Sequence, residues 1–472
     1  MSDNQHASFK PSLSLLDATM IVAGSMIGSG IFLVSAEIAR SVGSAGWFTV
    51  MWVLAGLVTM IAAVSYGELS GMYPRAGGQY VYLREAYNPF VAFLFGWTQF
   101  SVIQTGTIAA VAVAFAKFTA YLIPSFSEQH ILLDLGFMKV SAAQIVAIVS
   151  IILLTYINTK GVRNGKIIQT VFTLAKLLSL FGLIIFGFLL GARQEVWNAN
   201  WEHAWTAMSM QQVNGQTVTT LLTGMAFLGA VAVSMKGSLF SSDAWNNVTF
   251  IAAEIKNPGK NIGRSLFLGT LIVTIIYVSA NIMYLAVLPL QDIAFAANDR
   301  VGVVAAEHIF GSSGSLIIAV MIMISTFGCN NGLILSGARI YYTMAQDGLF
   351  FKKAGALNKF DVPEGGLWIQ CLWACLLCLS GRYGDLLALV IFGVLVFYVL
   401  TILGIFILRK KQPDTPRPYK AFGYPLLPMI YIIVAVALAL LLLVFEANYT
   451  LPGLGIILLG IPLYYLAMRK KS

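Results

Sequence analysis

The chain has 472 residues, 58% of them hydrophobic and only 10% charged, with a formal net charge of +9. Soluble domains carry about 25% charged residues, so this composition excludes a water-facing globular surface and points to a polytopic membrane protein. The positive charge sits in short loops and is no nucleic-acid footprint.

The N-terminus, MSDNQHASFKPSLS, is polar and lacks a signal-peptide cleavage pattern, and residues 1–12 are expected to be a cytoplasmic tail. A spanning helix needs about 20 mostly apolar residues. Twelve segments qualify: about 14–41, 47–71, 89–124, 141–159, 164–191, 217–254, 264–288, 311–346, 366–381, 384–408, 425–446 and 451–468. The stretch 192–216 is polar and Trp-rich and reads as an outer loop. With the N-terminus placed in the cytoplasm, 21 of the 29 lysines and arginines fall on the inner side, from Lys10 through Arg163 and Lys166 to Arg469, Lys470 and Lys471. Arg40, Lys139, Arg193, Arg300 and Arg382 fall outside, and Lys117, Lys176 and Lys236 lie within segments. This bias predicts twelve spans with both termini cytoplasmic.

Two segments are interrupted. The first carries VAGSMIGSGIF, with Gly24, Ser25, Gly28, Ser29 and Gly30 at its centre. The sixth carries GSLFSSDAWNN at 237–247. Five segments separate the breaks, an odd offset, which predicts inverted repeats over 13–191 and 217–408. A cytoplasmic loop at 409–424, two appended helices within 425–468 and a tail at 469–472 follow. Matched breaks in two halves point to a transporter binding site. Unwound backbone is tolerated at mid-membrane only where it lines a cavity and finds partners.

A zwitterionic amino acid suits such breaks. Its carboxylate would accept from the N–H groups of Ser29, Gly30 and Ile31, at the start of the second half-helix. Gly24, Ser25 and Gly28 would support the unwound stretch. Its ammonium would donate to the carbonyls of Phe240, Ser241 and Asp243, with Ile27 a further carbonyl candidate in segment 1. Phe240 would act as an aromatic gate, and Ser242, Ala244, Trp245 and Asn246 are pocket candidates. The alternative for segment 1 alone is close helix packing through Gly24-x-x-x-Gly28. Lys176 lies about ten residues past the cluster Lys160–Lys166, roughly 15 Å at helical rise, which is too deep for easy snorkelling. It is expected to bridge the segment 1 carbonyls to the hydroxyls of Ser325 and Thr326, doing the work of a sodium ion. For Lys236, lining an outer vestibule, pairing with Asp243 and reaching the surface stay open. Asp243 either satisfies local N–H groups, biases substrate charge or carries a proton. Lys117 is placed near the outer end without a role. Glu68, Glu254 and Arg339, the last near Asp347, are candidates for ion pairs closing an inner gate. The four cysteines, Cys329, Cys371, Cys375 and Cys378, read as small buried hydrophobes.

GSMIGSGIF, FSSDAWNN with EIKNPGKNI, VFTLAKLL and STFGCNNGLILSGARIYYTMAQDG together resemble the amino acid–polyamine–organocation (APC) superfamily, most closely its L-type amino acid transporter (LAT) branch in a bacterial form. The resemblance spans about residues 12–470. It implies an all-α, LeuT-like 5+5 inverted repeat and alternating-access transport, commonly as sodium-independent exchange, with proton-coupled symport the alternative. It also implies a carboxylate site at Ser29, Gly30 and Ile31, a gate at Phe240, and Lys176 in place of a sodium site. Two departures stand out. Ala244 precedes Trp245 and Asn246 where the family often has glycine, which narrows the pocket or stiffens the break. The loop TAYLIPSFSEQHILLDLGF lacks the cysteine that bonds a glycoprotein heavy chain in the animal branch, so no such partner is expected. Partners are then amino acid substrates and the bilayer, without nucleic acid, metal or cofactor. An enzyme or a channel is disfavoured. The histidines His6, His130, His203 and His308 lie in the tail or on the outer side, and no selectivity-filter motif is present.

Overall fold

The computed structural model describes residues 11–134, 139–380 and 383–469, without the side chains of 162–170, 380 and 469. Lys10, His6, Arg382, Lys470 and Lys471 lie outside the described residues, as do the side chains of Arg163, Lys166 and Arg469.

Among the described residues, ten helices are long and apolar enough to cross a membrane, or eleven if one bent pair is a single span. That pair is α1 (Leu15–Met26) and α2 (Gly30–Val42), which meet at 43°. The chain continues through α3 (Ala45–Met72), short α4 (Gln79–Ala86), and α5 (Pro89–Thr98), which joins α6 (Gln104–Leu122) across a π-helical turn at Gln99–Ile103. Then come α7 (Ala142–Thr159), α8 (Val162–Phe186), α9 (Gln194–Trp201), α10 (Gly224–Ser241), one-turn α11 (Asn247–Phe250) and α12 (Pro258–Val287). Short α13 (Leu290–Ala294) leads to α14 (Val301–Gln346), α15 (Glu364–Ser380), α16 (Tyr383–Lys411), α17 (Leu426–Phe445) and α18 (Ala447–Arg469). The ninth expected segment is a shorter apolar helix, Glu364–Leu379. Leu153, Leu178, Leu189, Ile433 and Leu459 are exposed on the helix surfaces, as expected of side chains that face lipid.

The sixth segment starts at Gly224, not 217. Residues Met208–Val213 pair antiparallel with Gln216–Leu221 around Asn214-Gly215, both at positive φ (52° and 78°). Asn-Gly is the residue pair that a two-residue hairpin turn selects. The segment also ends sooner than a second half-helix would, since only α11 and a 3-10 turn at Ala252–Glu254 follow the break.

Helix α12 lies along α3 and α1, while α14 packs on α6 and α8. Glycines let these backbones close up. A methyl on Gly56 would meet Thr274, and one on Gly269 would meet Val22. Leu13 bridges Ile255, and the N–H groups of Ser12 and Leu13 donate to the Glu254 carbonyl at 2.8 and 2.9 Å. The N-terminal end of α1 therefore lies beside the end of segment 6, on the same face as the α16–α17 loop, where Pro418 meets Gly71 and Gly259.

Candidate functional site at the two helix breaks

Helix α1 ends at Met26 because Ile27 turns to an extended ψ of 93°. The last four carbonyls of any helix lose their intrahelical partners. Here all four find side chains from other helices. Lys176 Nζ of α8 donates to Gly24 O at 2.5 Å and to Ile27 O at 2.7 Å. Cys329 Sγ of α14 donates to Ser25 O at 3.2 Å, and Tyr277 OH of α12 to Met26 O at 3.0 Å. Lys176 is 1% exposed, so its charge is held by the carbonyl ends of α1, where the helix dipole is negative.

Only part of the expected lysine bridge is present. Thr326 Oγ1 donates to its own helix, to Ile322 O and Met323 O, and Ser325 Oγ is buried without a hydrogen-bond partner among the described residues. The hydroxyl of a threonine inside a helix is readily taken by its own turn. Segment 8 meets the break through Cys329 instead, one turn further on. Cys329 is thus more than an apolar filler, while Cys371 and Cys378 are buried and Cys375 partly so.

The two breaks touch. A methyl on Gly30 would lie 2.1 Å from Ser241 Oγ. Tyr277 OH also lies 3.0 Å from Ser241 O, so one hydroxyl sits between carbonyls of both breaks. The Phe240 carbonyl receives Asp243 N–H at 3.2 Å. Ala244 has a left-handed φ of 64°, which swings the chain from α10 toward α11. An alanine there carries a conformational cost that glycine avoids. Tyr398 OH donates to Asp243 Oδ1 at 2.7 Å, and among the described residues no Lys, Arg or His bonds that carboxylate. Trp245 packs edge-on against Tyr66, and Asn246 Nδ2 donates to Gln79 Oε1 at 3.1 Å.

Two small cavities flank the second break. One of about 20 Å³ is lined by Ser242, Asp243, Trp245 and Tyr398. Another of about 10 Å³ is lined by Asp243, Ala244, Asn246, Gln79 and Gln104. Each has room for about one water, so the breaks are closed and must part to admit anything larger. Above them Ser29 Oγ and Tyr383 OH are 3.0 Å apart, and the Phe240 ring stands edge-on to Tyr383 at 6.1 Å. Phe240, where a gate is expected, thus stands against a tyrosine whose hydroxyl meets Ser29 Oγ.

Lys236 does not pair with Asp243. Its Nζ donates to Glu37 at 3.0 Å and Glu446 at 2.9 Å, and it is 4% exposed, so it is not a surface-seeking lysine. Lys117 lies over the Tyr383 ring at 5.8 Å. On the face where α1 begins, Glu68 takes Arg409 through both oxygens at 2.9 and 2.7 Å and Arg417 at 3.3 Å. Glu254 takes Arg339 at 3.3 Å. Asp347 is held by Arg84 at 2.6 Å and by Tyr80 at 2.9 Å. Burial works against the Arg84 cation, but the bond to Asp347 and its charge outweigh that and raise its pKa.

The sequence reading missed Tyr277, Cys329, Tyr383 and Tyr398. Their one signal was a hydroxyl or thiol set in an apolar run.

Lys176 thus sits on the carbonyl ends of the first break, which packs through Gly30 against Ser241 of the second. A family model described as amino acid permease matches residues 13–462. The chain belongs to the amino acid permease family. The permease is 30% identical over 460 residues to the large neutral amino acids transporter small subunit 2 of the mouse, covering 97% of this chain and 81% of that one. It is 29% identical over 468 residues to the serine/threonine exchanger SteT of Bacillus subtilis, covering 98% of each. It is 27% identical over 473 residues to the mouse b(0,+)-type amino acid transporter 1. The family and these relatives are transporters, not enzymes, and the permease is a multi-pass membrane transporter.

Proposed function

We propose that the permease is a sodium-independent exchanger of small to medium neutral L-amino acids, working by alternating access in a bacterial inner membrane. Its frame would be twelve spans in a LeuT-like 5+5 inverted repeat plus two helices, with both termini cytoplasmic and no heavy-chain partner. The observation that carries this reading is Lys176 on the terminal carbonyls of α1. A fixed ammonium supplies there the positive charge that a bound sodium ion would otherwise bring.

In this reading the N–H groups of Ser29, Gly30 and Ile31, at the N-terminal end of α2, hold the substrate carboxylate. Phe240, Ser241, Asp243 and Ile27 offer carbonyls to the ammonium, since each such oxygen has a second lone pair. Ser242, Ala244, Trp245 and Asn246 surround the side chain. Entry requires Tyr383 to leave Ser29 and Phe240, and release requires the ion pairs of Glu68, Glu254 and Asp347 to part. The names of the relatives, serine/threonine exchanger and large neutral amino acids transporter, support a neutral substrate.

Asp243 supports a second reading, proton-coupled symport, because a buried carboxylate held by a tyrosine and, among the described residues, by no cation is suited to exchange a proton. Proteoliposome uptake of labelled serine, alanine and leucine separates the two. Exchange predicts uptake that needs internal amino acid and ignores sodium. Uptake driven by a pH gradient and indifferent to internal amino acid would overturn it in favour of symport.

A further inference from the structure

Beside the first turns of α3, at the end remote from Glu68, lies a cavity of about 330 Å³. It is about twice the roughly 150 Å³ of an apolar cavity that takes up benzene. One wall is a stripe of α3 that runs from Gly46 through Val50 and Val53 to Leu57, the spacing of a single helix face. The other wall is Trp201 and Trp205, at the end of α9 and in the turn after it. This second wall is fixed in place. Gly46 N–H donates to Ala204 O at 2.9 Å, and Trp47 Nε1 donates to Trp205 O at 3.1 Å. Asn200 Nδ2 ties α9 to Leu285 O and Leu288 O at the end of α12, at 2.8 and 2.9 Å. The cavity surface is wholly apolar, since Thr49 turns its hydroxyl back to Ala45 O at 2.9 Å. Val53 and Leu57 are 37% and 48% exposed, so the cavity opens onto the lipid-facing surface of a spanning helix. From Gly46 to Leu57 the wall rises about 16 Å, the depth of one leaflet of a hydrocarbon core about 30 Å thick. One polar atom stands out. Trp201 Nε1 is buried and has no hydrogen-bond partner among the described residues.

We propose that this cavity holds one acyl chain of a membrane phospholipid, in the leaflet that contains the α2–α3 turn, with the chain's ester carbonyl accepting from Trp201 Nε1. Tryptophans settle at the level of the membrane–water interface, which sets the ester beside the indole and the chain along α3 below it. The wall selects this occupant. A free fatty acid would bring a carboxylate to the same level, and no cation lines the cavity. A peptide segment would lay polar backbone on an apolar wall without partners. The chain covers Val53 and Leu57 and gives the buried indole its acceptor. The site requires only that the protein spans a membrane, so it stands apart from what is transported and how.

The test is native mass spectrometry of the full chain, extracted from its membrane in mild detergent and washed free of loose lipid. The samples are wild type, Trp201→Phe, Val50→Trp and Ile433→Trp. Wild type retains one phospholipid per chain. Trp201→Phe keeps the ring and removes the N–H, and its ratio of lipid-bound to lipid-free chain falls about fivefold, the worth of one neutral hydrogen bond. Val50→Trp fills the cavity and sheds the lipid. Ile433→Trp adds the same bulk at an exposed position of α17 outside the cavity and retains lipid as wild type does. Should Val50→Trp fail to fold in a thermal melt, Trp201→Phe against Ile433→Trp carries the test alone. A wild type that keeps no adduct, an adduct with the mass of a fatty acid, or a phospholipid retained undiminished by Trp201→Phe and Val50→Trp overturns the site. So does a dimer that Val50→Trp abolishes, which gives the cavity to a second copy of the chain.

Discussion

A methyl group on Gly30 would lie 2.1 Å from Ser241 Oγ and 2.9 Å from its Cα, so backbone as well as side chain would have to move. On Gly28 the same methyl meets the end of a side chain, Cys329 Sγ, at 3.0 Å. Gly30→Ala should therefore cost about 1–3 kcal/mol in stability and abolish serine exchange, because overpacking pushes the breaks apart. Gly28→Ala should retain measurable exchange. Thermal unfolding and uptake on both variants check this, and the reverse order of severity would contradict the contact. Lys236 is a second residue with no slack. Lys236→Ala strands Glu37 and Glu446, whose side chains are 30% and 14% exposed. Water reaches Glu37, so the loss should be about 2 kcal/mol rather than the 3–5 of a fully buried pair. Restoring the cluster's native net charge with Glu446→Gln in the same chain should recover part of it in a thermal melt.

At the scale of elements, the two breaks are held together by the Tyr277 hydroxyl between Met26 O and Ser241 O. Tyr277→Phe keeps the ring and removes the stitch. Leaving buried carbonyls short of a donor costs about 1–3 kcal/mol. The expected outcome is a lower melting temperature together with a changed serine KM, read in the same preparation. Unchanged KM would make Tyr277 a packing residue. The breaks themselves were legible, because glycines and serines clustered inside an apolar run weaken the helix at that point. So was the depth of Lys176, since a charge that far from the basic loop must find partners. Its partners were half legible. The helix-end carbonyls follow from backbone chemistry, whereas Cys329 replacing Ser325 and Thr326 depends on the rotation of α14, which spacing does not set. Tyr277 and Tyr383 lie 251 and 354 residues from the atoms they bond at the first break, and no local pattern encodes such meetings. The Asn214-Gly215 turn, taken only as part of an outer loop, was in principle legible from its residue pair. Its second strand was not, because that strand runs straight into the apolar residues of α10 and shares their hydropathy.

At the scale of the molecule, the proposed cycle has ion pairs closing the face at the N-terminal end of α1 and two rings over Ser29 closing the way to the breaks from the other. Glu68 is the hub of the first closure, taking Arg409, Arg417 and the Ala421 N–H at 2.8 Å while itself fully buried. Glu68→Gln should speed amide exchange at Ala421 and around it by at least about tenfold, as a charge-assisted lock is replaced by a neutral one. Unchanged protection would place the closure elsewhere. The central claim is that a fixed ammonium on α1 makes transport independent of sodium. Its most direct test is counterflow of labelled L-serine by wild type and Lys176→Ala, each in sodium and in choline medium. The account predicts wild-type rates equal in the two media and a loss of at least about tenfold in Lys176→Ala, the equivalent of one charge-assisted contact. A Lys176→Ala variant that exchanges serine at the wild-type rate, with sodium still irrelevant, would contradict it.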